Sequence, residues 1–186
     1  MKGRQATTMP HISADNIQQI SRLLAEYIAA QRQRFSPQAV PLSAVQKAAT
    51  SGFFLPQVLD GTRILVLRGF RVENPPFYPM LAALGFSHLP DISQMAAITF
   101  CDVVVSHVPF TDGLLFHELV HVEQYRQFGI PRFSELYVQG FLSGGGYDGI
   151  PLEANAYELG RRFERDHRQE FSVADEVARW AREGRF

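Results

Sequence analysis

Residues 114–129 read LLFHELVHVEQYRQFG, and no other stretch constrains the fold of this chain as tightly. Around His117, Glu118 and His121 stand Leu114, Leu115, Phe116, Leu119, Val120 and Val122, which make a helix here apolar almost all round. Such a helix has no wet face to turn outward, so it must be largely buried. Burying two imidazoles and a carboxylate with it costs on the order of several kcal/mol unless they find partners, and a divalent cation is one. Histidines four residues apart project from one helix face with their rings one above the other, which suits two positions on a tetrahedral metal. Glu118 is turned by about 100° from His117, outside that coordination shell, yet within reach of a water in the site as a general base. Thr111 or Asp112 supplies the N-cap of this helix and Gly129 its stop.

Size and composition narrow what such a helix can belong to. At 186 residues one core and a single domain, 1–186, are expected. Apolar residues make up 46% and the formal net charge is -1, so neither disorder nor a nucleic-acid footprint is indicated. Cys101 stands alone, which excludes an internal disulfide and a thiolate-rich site and leaves histidine and carboxylate as the metal ligands. The opening MKGRQATTMPHISADN lacks the apolar stretch of a secretory signal. The densest apolar run, AAITFCDVVV, is about half of a membrane span and contains Asp102. A soluble, cytoplasmic protein with no membrane partner is the expectation.

Elsewhere the pattern is mixed. A loose start gives way to an amphipathic helix carrying Ile17, Ile20, Leu24, Tyr27 and Ile28 behind a Ser13 or Asp15 cap. A second helix is expected after Pro41, with Leu42, Val45 and Ala49 on one face, stopping near Gly52. TRILVLRGF reads as a strand, MLAALGF as a turn or two of helix, and MAAITF with DVVVSHV as a tight hairpin around Cys101 and Asp102. The sheet should therefore hold about three strands. Helices follow at RFSELYVQGFL, PLEANAYELGRRFERDH and VADEVARWAREG, with the glycine-rich turn SGGGYDGIP between the first two.

A catalytic zinc usually keeps three protein ligands and one open position. Gln124 and Gln127 stand where the metzincin pattern needs glycine and histidine, so that clan is excluded. Glu135, Asp148, Glu153, Glu158, Glu164 and His167 lie downstream, and Glu135 reads as a solvated charge. Glu153 is preferred as the third ligand. It opens a helix in which Ala154, Ala156 and Gly160 permit close packing, and Glu158 is the alternative. Tyr157, one turn beyond Glu153, and Tyr147, in the glycine turn, are alternative hydrogen-bond donors to a ligand or an oxyanion.

HELVH followed by a helix bearing PLEANAYE resembles the gluzincin division of zinc metallopeptidases. The longer segment is similar to the H-E-L-x-H-V-x-Q stretch of small bacterial metallopeptidase families, including those related to DUF4157. The likeness covers about residues 96–165, and residues 1–52 form an N-terminal helical region outside it. It implies a mostly helical α+β, zincin-like core over 53–186, with one zinc ion per chain on His117, His121 and Glu153 and Glu118 as general base. It also implies a sheet edge, placed at DVVVSHV, along which an extended peptide or protein substrate would lie, with His107 near it. Gluzincins often carry an aspartate four residues after the ligand glutamate. Tyr157 stands there in this chain, leaving Asp148 or Glu158 to orient a zinc histidine. The implied activity is zinc-dependent peptide hydrolysis, with a catalytically inactive zinc-binding interaction protein as the alternative.

Overall fold

The computed structural model describes residues 13–86, 88–143 and 146–186. The loose start expected before Ser13 lies outside the described residues. In chain order the elements are α1 (Ala14–Phe35), β1 (Val40–Pro41), α2 (Ala44–Thr50), α3 (Pro56–Gly61), β2 (Arg63–Val66), α4 (Tyr78–Ala83), β3 (Ala97–Phe100), β4 (Val103–Ser106), α5 (Asp112–Ser143), α6 (Pro151–Arg165) and α7 (Val173–Arg182). Helices outweigh one small mixed sheet, an α+β architecture.

The expected hairpin is present: β3 and β4 pair antiparallel with Phe100 opposite Val103, joined through Cys101 and Asp102. Cys101 takes the left-handed conformation, φ 63°, that so short a connection demands. The sheet has four strands in the order β1-β2-β4-β3, where three were expected. β1 is only Val40–Pro41, too short to show an alternating pattern. β2 runs parallel to β4, with Ile64 opposite Val104, so β4 lies inside the sheet and its DVVVSHV segment cannot be the free edge. That edge is β3.

Each face of the sheet carries its own core. Val103, Val105 and Phe100 point toward α1, whose Ile20, Tyr27, Ile28 and Phe35 are buried with them. Val104 and Ile64 point the other way, toward Leu115, Phe116, Leu119 and Val120 of α5. The N-terminal helix is therefore core material. Ser13 caps it, accepting from the Asn16 N–H at 3.2 Å. Ser43 and Gln46 close a reciprocal capping box at the start of α2, but Val45 faces solvent at 79% exposure instead of the core.

α5 has two limbs. Its first begins at Thr111, whose hydroxyl accepts from the Leu114 N–H at 3.1 Å. It breaks at Gly129, which takes φ 68°, a conformation that costs glycine nothing, and Pro131 starts the second limb. The bend folds the second limb back beside α1 and brings the end of α5 to the start of α6. There the two helices nearly touch: a Cβ on Gly140 would stand 2.4 Å from Pro151 Cδ. Stacking of Phe116 on Phe163, with ring centroids 4.2 Å apart, docks α6 along the first limb of α5.

Candidate metal centre

His117 and His121 project from the first limb of α5 into the space that α6 closes with Glu153. The His121 Nε2 and His117 Nε2 are 3.2 Å apart, and Glu153 Oε2 stands 3.5 Å from the first histidine and 3.4 Å from the second. Three donors on one tetrahedral ion, each at about 2.0–2.1 Å from it, stand about 3.3–3.4 Å from one another. The triangle matches that spacing. Glu153 Oε2 is buried without a hydrogen-bond partner, although it lies between two imidazoles. Buried carboxylate oxygens are rarely left so, and one cation can partner all three atoms at once. The donor set, two imidazole nitrogens and one carboxylate oxygen, can hold a metal ion.

The surroundings orient these donors. Gln124 Oε1 lies 2.9 Å from His121 Nδ1, and this amide oxygen can only accept, so Nδ1 carries a hydrogen and Nε2 is the nitrogen that faces Glu153. The Gln124 amide nitrogen donates to Leu152 O and Asn155 Oδ1, both at 3.0 Å, tying the same side chain to the residues on either side of Glu153. Gln124 is wholly buried. At His121 it takes the orienting position for which Glu158 was one candidate. Glu158 is instead exposed and paired with Arg185 at 3.4 Å, so it is not a ligand, and the Asp148 side chain lies outside the described residues.

Charge within the cluster is strongly coupled. Burial alone would push the His121 imidazole down, but the Glu153 carboxylate, helped by Glu118 and Gln124, reverses this and lifts it to about 9. Burial would raise Glu153, and the two imidazoles overcome it, holding the carboxyl far below its ordinary range. Without an ion the site keeps a proton between His121 and Glu153.

Glu118 is 4% exposed, and its Oε2 accepts from the Thr99 hydroxyl at 2.7 Å, a bond from β3 to the middle of α5. Tyr147 sits in the 3₁₀ turn Tyr147–Gly149, and burial, with the Glu153 carboxylate nearby, pushes its phenol well above its usual range. Tyr157 is half exposed, with its ring centroid 4.6 Å from that of His117. His107 is not near the cluster. Its Nε2 accepts from the Val72 N–H at 3.0 Å and its Nδ1 faces Met95 O at 2.7 Å, a clasp between loops.

Glu135 is paired with Arg132 at 2.6 Å on the second limb. The close approach anticipated for Ala154, Ala156 and Gly160 is made by Ala156 and Gly140 instead. Ala154 is exposed, and no atom lies within 4 Å of where a Gly160 Cβ would be. Gln124 and Thr99 were missed as supporting residues. A glutamine one turn after the second histidine, on a helix with no wet face, is a buried amide that needs partners, and that signal was legible. Nothing in the TF of AAITF marks its threonine.

An open groove of about 480 Å³ runs across His117 and Glu118 between Ala97 of β3 and Arg161 of α6. The Ala96–His107 bond and the β3–β4 register turn the main-chain groups of Ala97 and Thr99 away from β4, along the sheet edge. Among the described residues no helix is long and apolar enough to cross a membrane. No protein-family model, no curated protein and no solved structure matches this chain.

Proposed function

We propose that this protein is a zinc-dependent metallopeptidase of zincin type, in which His117, His121 and Glu153 hold the ion and Glu118 is the general base. The observation that carries this reading is the placement of Glu118. Its carboxylate is buried and fastened by Thr99 beside three donors spaced for one tetrahedral ion, at the floor of an open groove. Zinc bound there supplies Lewis acidity toward a carbonyl oxygen and lowers the pKa of water in the site.

The residues of the chain do the rest. The Thr99 hydroxyl holds Glu118 Oε2, so Oε1 is the oxygen that takes a proton from the attacking water and returns it to the leaving amine nitrogen. Tyr157, in the groove against the His117 ring, donates to the carbonyl oxygen as negative charge develops on it. Tyr147 acts on Glu153 and is a positioning residue. An extended peptide lies along β3, bonding to the outward main-chain groups of Ala97 and Thr99, with its scissile carbonyl over His117 and Glu118.

The test is hydrolysis of a mixed peptide library by zinc-loaded protein and by its Glu118→Gln variant, with zinc counted in each. The expected result is cleavage by the first and none by the second, at about one zinc per chain in both. Zinc binding without cleavage by either would replace this reading with that of a zinc-binding interaction protein. Absence of zinc would remove both.

A further inference from the structure

Adjoining the open groove, and sharing Met95, Ala97, His117, Glu118 and Tyr147 with it, lies a second space of about 90 Å³. His117, Glu118, His121 and Glu153 line one end of it, and the rest of its wall is apolar or aromatic. Leu24, Tyr27 and Ile28 of α1 face Ile98 of β3 and Phe133 and Tyr137 of the second limb of α5 across it. Among the described residues no charged side chain other than those of the site lines it.

Two of the hydroxyls in this wall are already engaged. The Tyr27 hydroxyl donates to Glu73 O at 2.7 Å, and the Thr99 hydroxyl to Glu118. Burial drives the phenols of Tyr125 and Tyr137 well above their ordinary range, so neither brings a charge. Most of the wall away from the ligands is hydrocarbon and aromatic ring, so an apolar group packs best against that part of it.

Past this chamber lies another of about 50 Å³, with Ile20, Leu81, Phe86 and Phe141 in its wall. Leu24, Tyr78 and Tyr137 belong to both, and so form the partition between them.

We infer that the inner chamber receives the apolar side chain of the substrate residue beside the scissile bond, of about leucine to phenylalanine size, and that Leu24 of α1 helps set its length limit. The inference rests on the peptidase reading above. It makes the N-terminal helix part of the specificity machinery as well as of the core.

The experiment measures by calorimetry how tightly zinc-loaded protein binds straight-chain hydroxamic acids, from acetyl to octanoyl. Affinity should rise about three- to fourfold per methylene through the first few carbons and then level off where the partition stops the chain. Leu24→Ala should move the levelling to longer chains and leave acetohydroxamate binding unchanged. An affinity independent of chain length, or a levelling point that Leu24→Ala does not move, overturns the proposal. A failure of the peptidase reading shows separately, as zinc well below one per chain or as zinc bound without cleavage of the peptide library. The chamber is then probed in the metal-free protein with n-alkanols from ethanol to octanol. A Tm that rises with chain length to a limit shifted by Leu24→Ala supports the chamber, and a Tm that does not overturns it.

Discussion

The first limb of α5 and the first turn of α6 bring candidate ligands to the same point by opposite means. On α5, the four-residue spacing of His117 and His121 comes from the helix itself, and burial on every side holds the limb in place. On α6, Glu153 sits in the first turn, behind Ile150, which makes no side-chain cap bond. Its position depends on contacts made elsewhere: Gly140 against Pro151, Gln124 to Leu152 and Asn155, Phe116 on Phe163. A ligand pair can thus be built locally, while the ligand that completes the set inherits its position from the packing of two helices.

Glu153→Ala should break the comparison most completely. It removes the donor that α6 contributes, and zinc affinity should fall by more than about a hundredfold, beyond the range expected for loss of an orienting group. Competition with a fluorescent chelator reads this directly, and near wild-type affinity would mean that α6 does not supply a ligand. Gln124→Leu comes next because it acts on both elements at once. It unfixes His121 and leaves Leu152 O and Asn155 Oδ1 without their donor, so affinity should drop about 10–100-fold and stability by about 1–3 kcal/mol. Chelator competition together with urea unfolding separates the two effects.

Gly140→Ala tests α6 alone. Its methyl group would meet Pro151 Cδ, part of a ring that cannot swing away, so the start of α6 must shift. A stability loss of about 1–3 kcal/mol is expected in thermal or urea unfolding, with weaker zinc binding although no ligand has changed. Unaltered zinc affinity would show that Glu153 tolerates movement of its helix. The smallest effect should come from Thr99→Val, which deletes the hydroxyl on Glu118 and leaves the three donors in place. Stability should fall by about 1 kcal/mol and zinc affinity stay unchanged, while any loss appears in kcat of peptide hydrolysis.

The comparison also has a pH signature. In the metal-free protein the imidazole of His121 is raised from 6.5 to about 9, so its contribution to stability is complete below about 6.5 and is lost as pH climbs through 9. Glu153 is held below its ordinary range. Its contribution is present above about 4.5 and disappears as pH falls. Metal binding must expel the His121 proton, so zinc affinity should increase with pH up to about 9 while metal-free stability declines over the same interval. Calorimetry in buffers of different ionisation enthalpy should detect the released proton near neutral pH. Its absence would place the proton elsewhere.

Much of this was readable in the residues. The helical pairing of His117 with His121, a cap from Thr111 or Asp112 (Thr111 in the structure), the break at Gly129, the hairpin through Cys101 and the amphipathic α1 follow from local rules, and each is present. What was misread shares one cause. The free edge was placed on β4, but the parallel strand β2, far away in sequence, covers β4 and leaves β3 outermost. Val45 fits an apolar periodicity and faces solvent because α2 is only two turns long and buries Leu42 just ahead of its cap. Glu158, one candidate to orient a zinc histidine, pairs with Arg185, and His121 Nδ1 is met by Gln124, an uncharged side chain that spans two helices.

The sequence by itself determined that two imidazoles and a carboxylate would share a buried helix, because 3.6 residues per turn and an apolar surround leave those side chains no other disposition. Only the tertiary structure decided that Glu153 closes on them, that Thr99 holds Glu118 and that α1 walls the space adjoining the groove. Those placements depend on how separate elements pack, and packing is settled by shapes that meet across long stretches of chain.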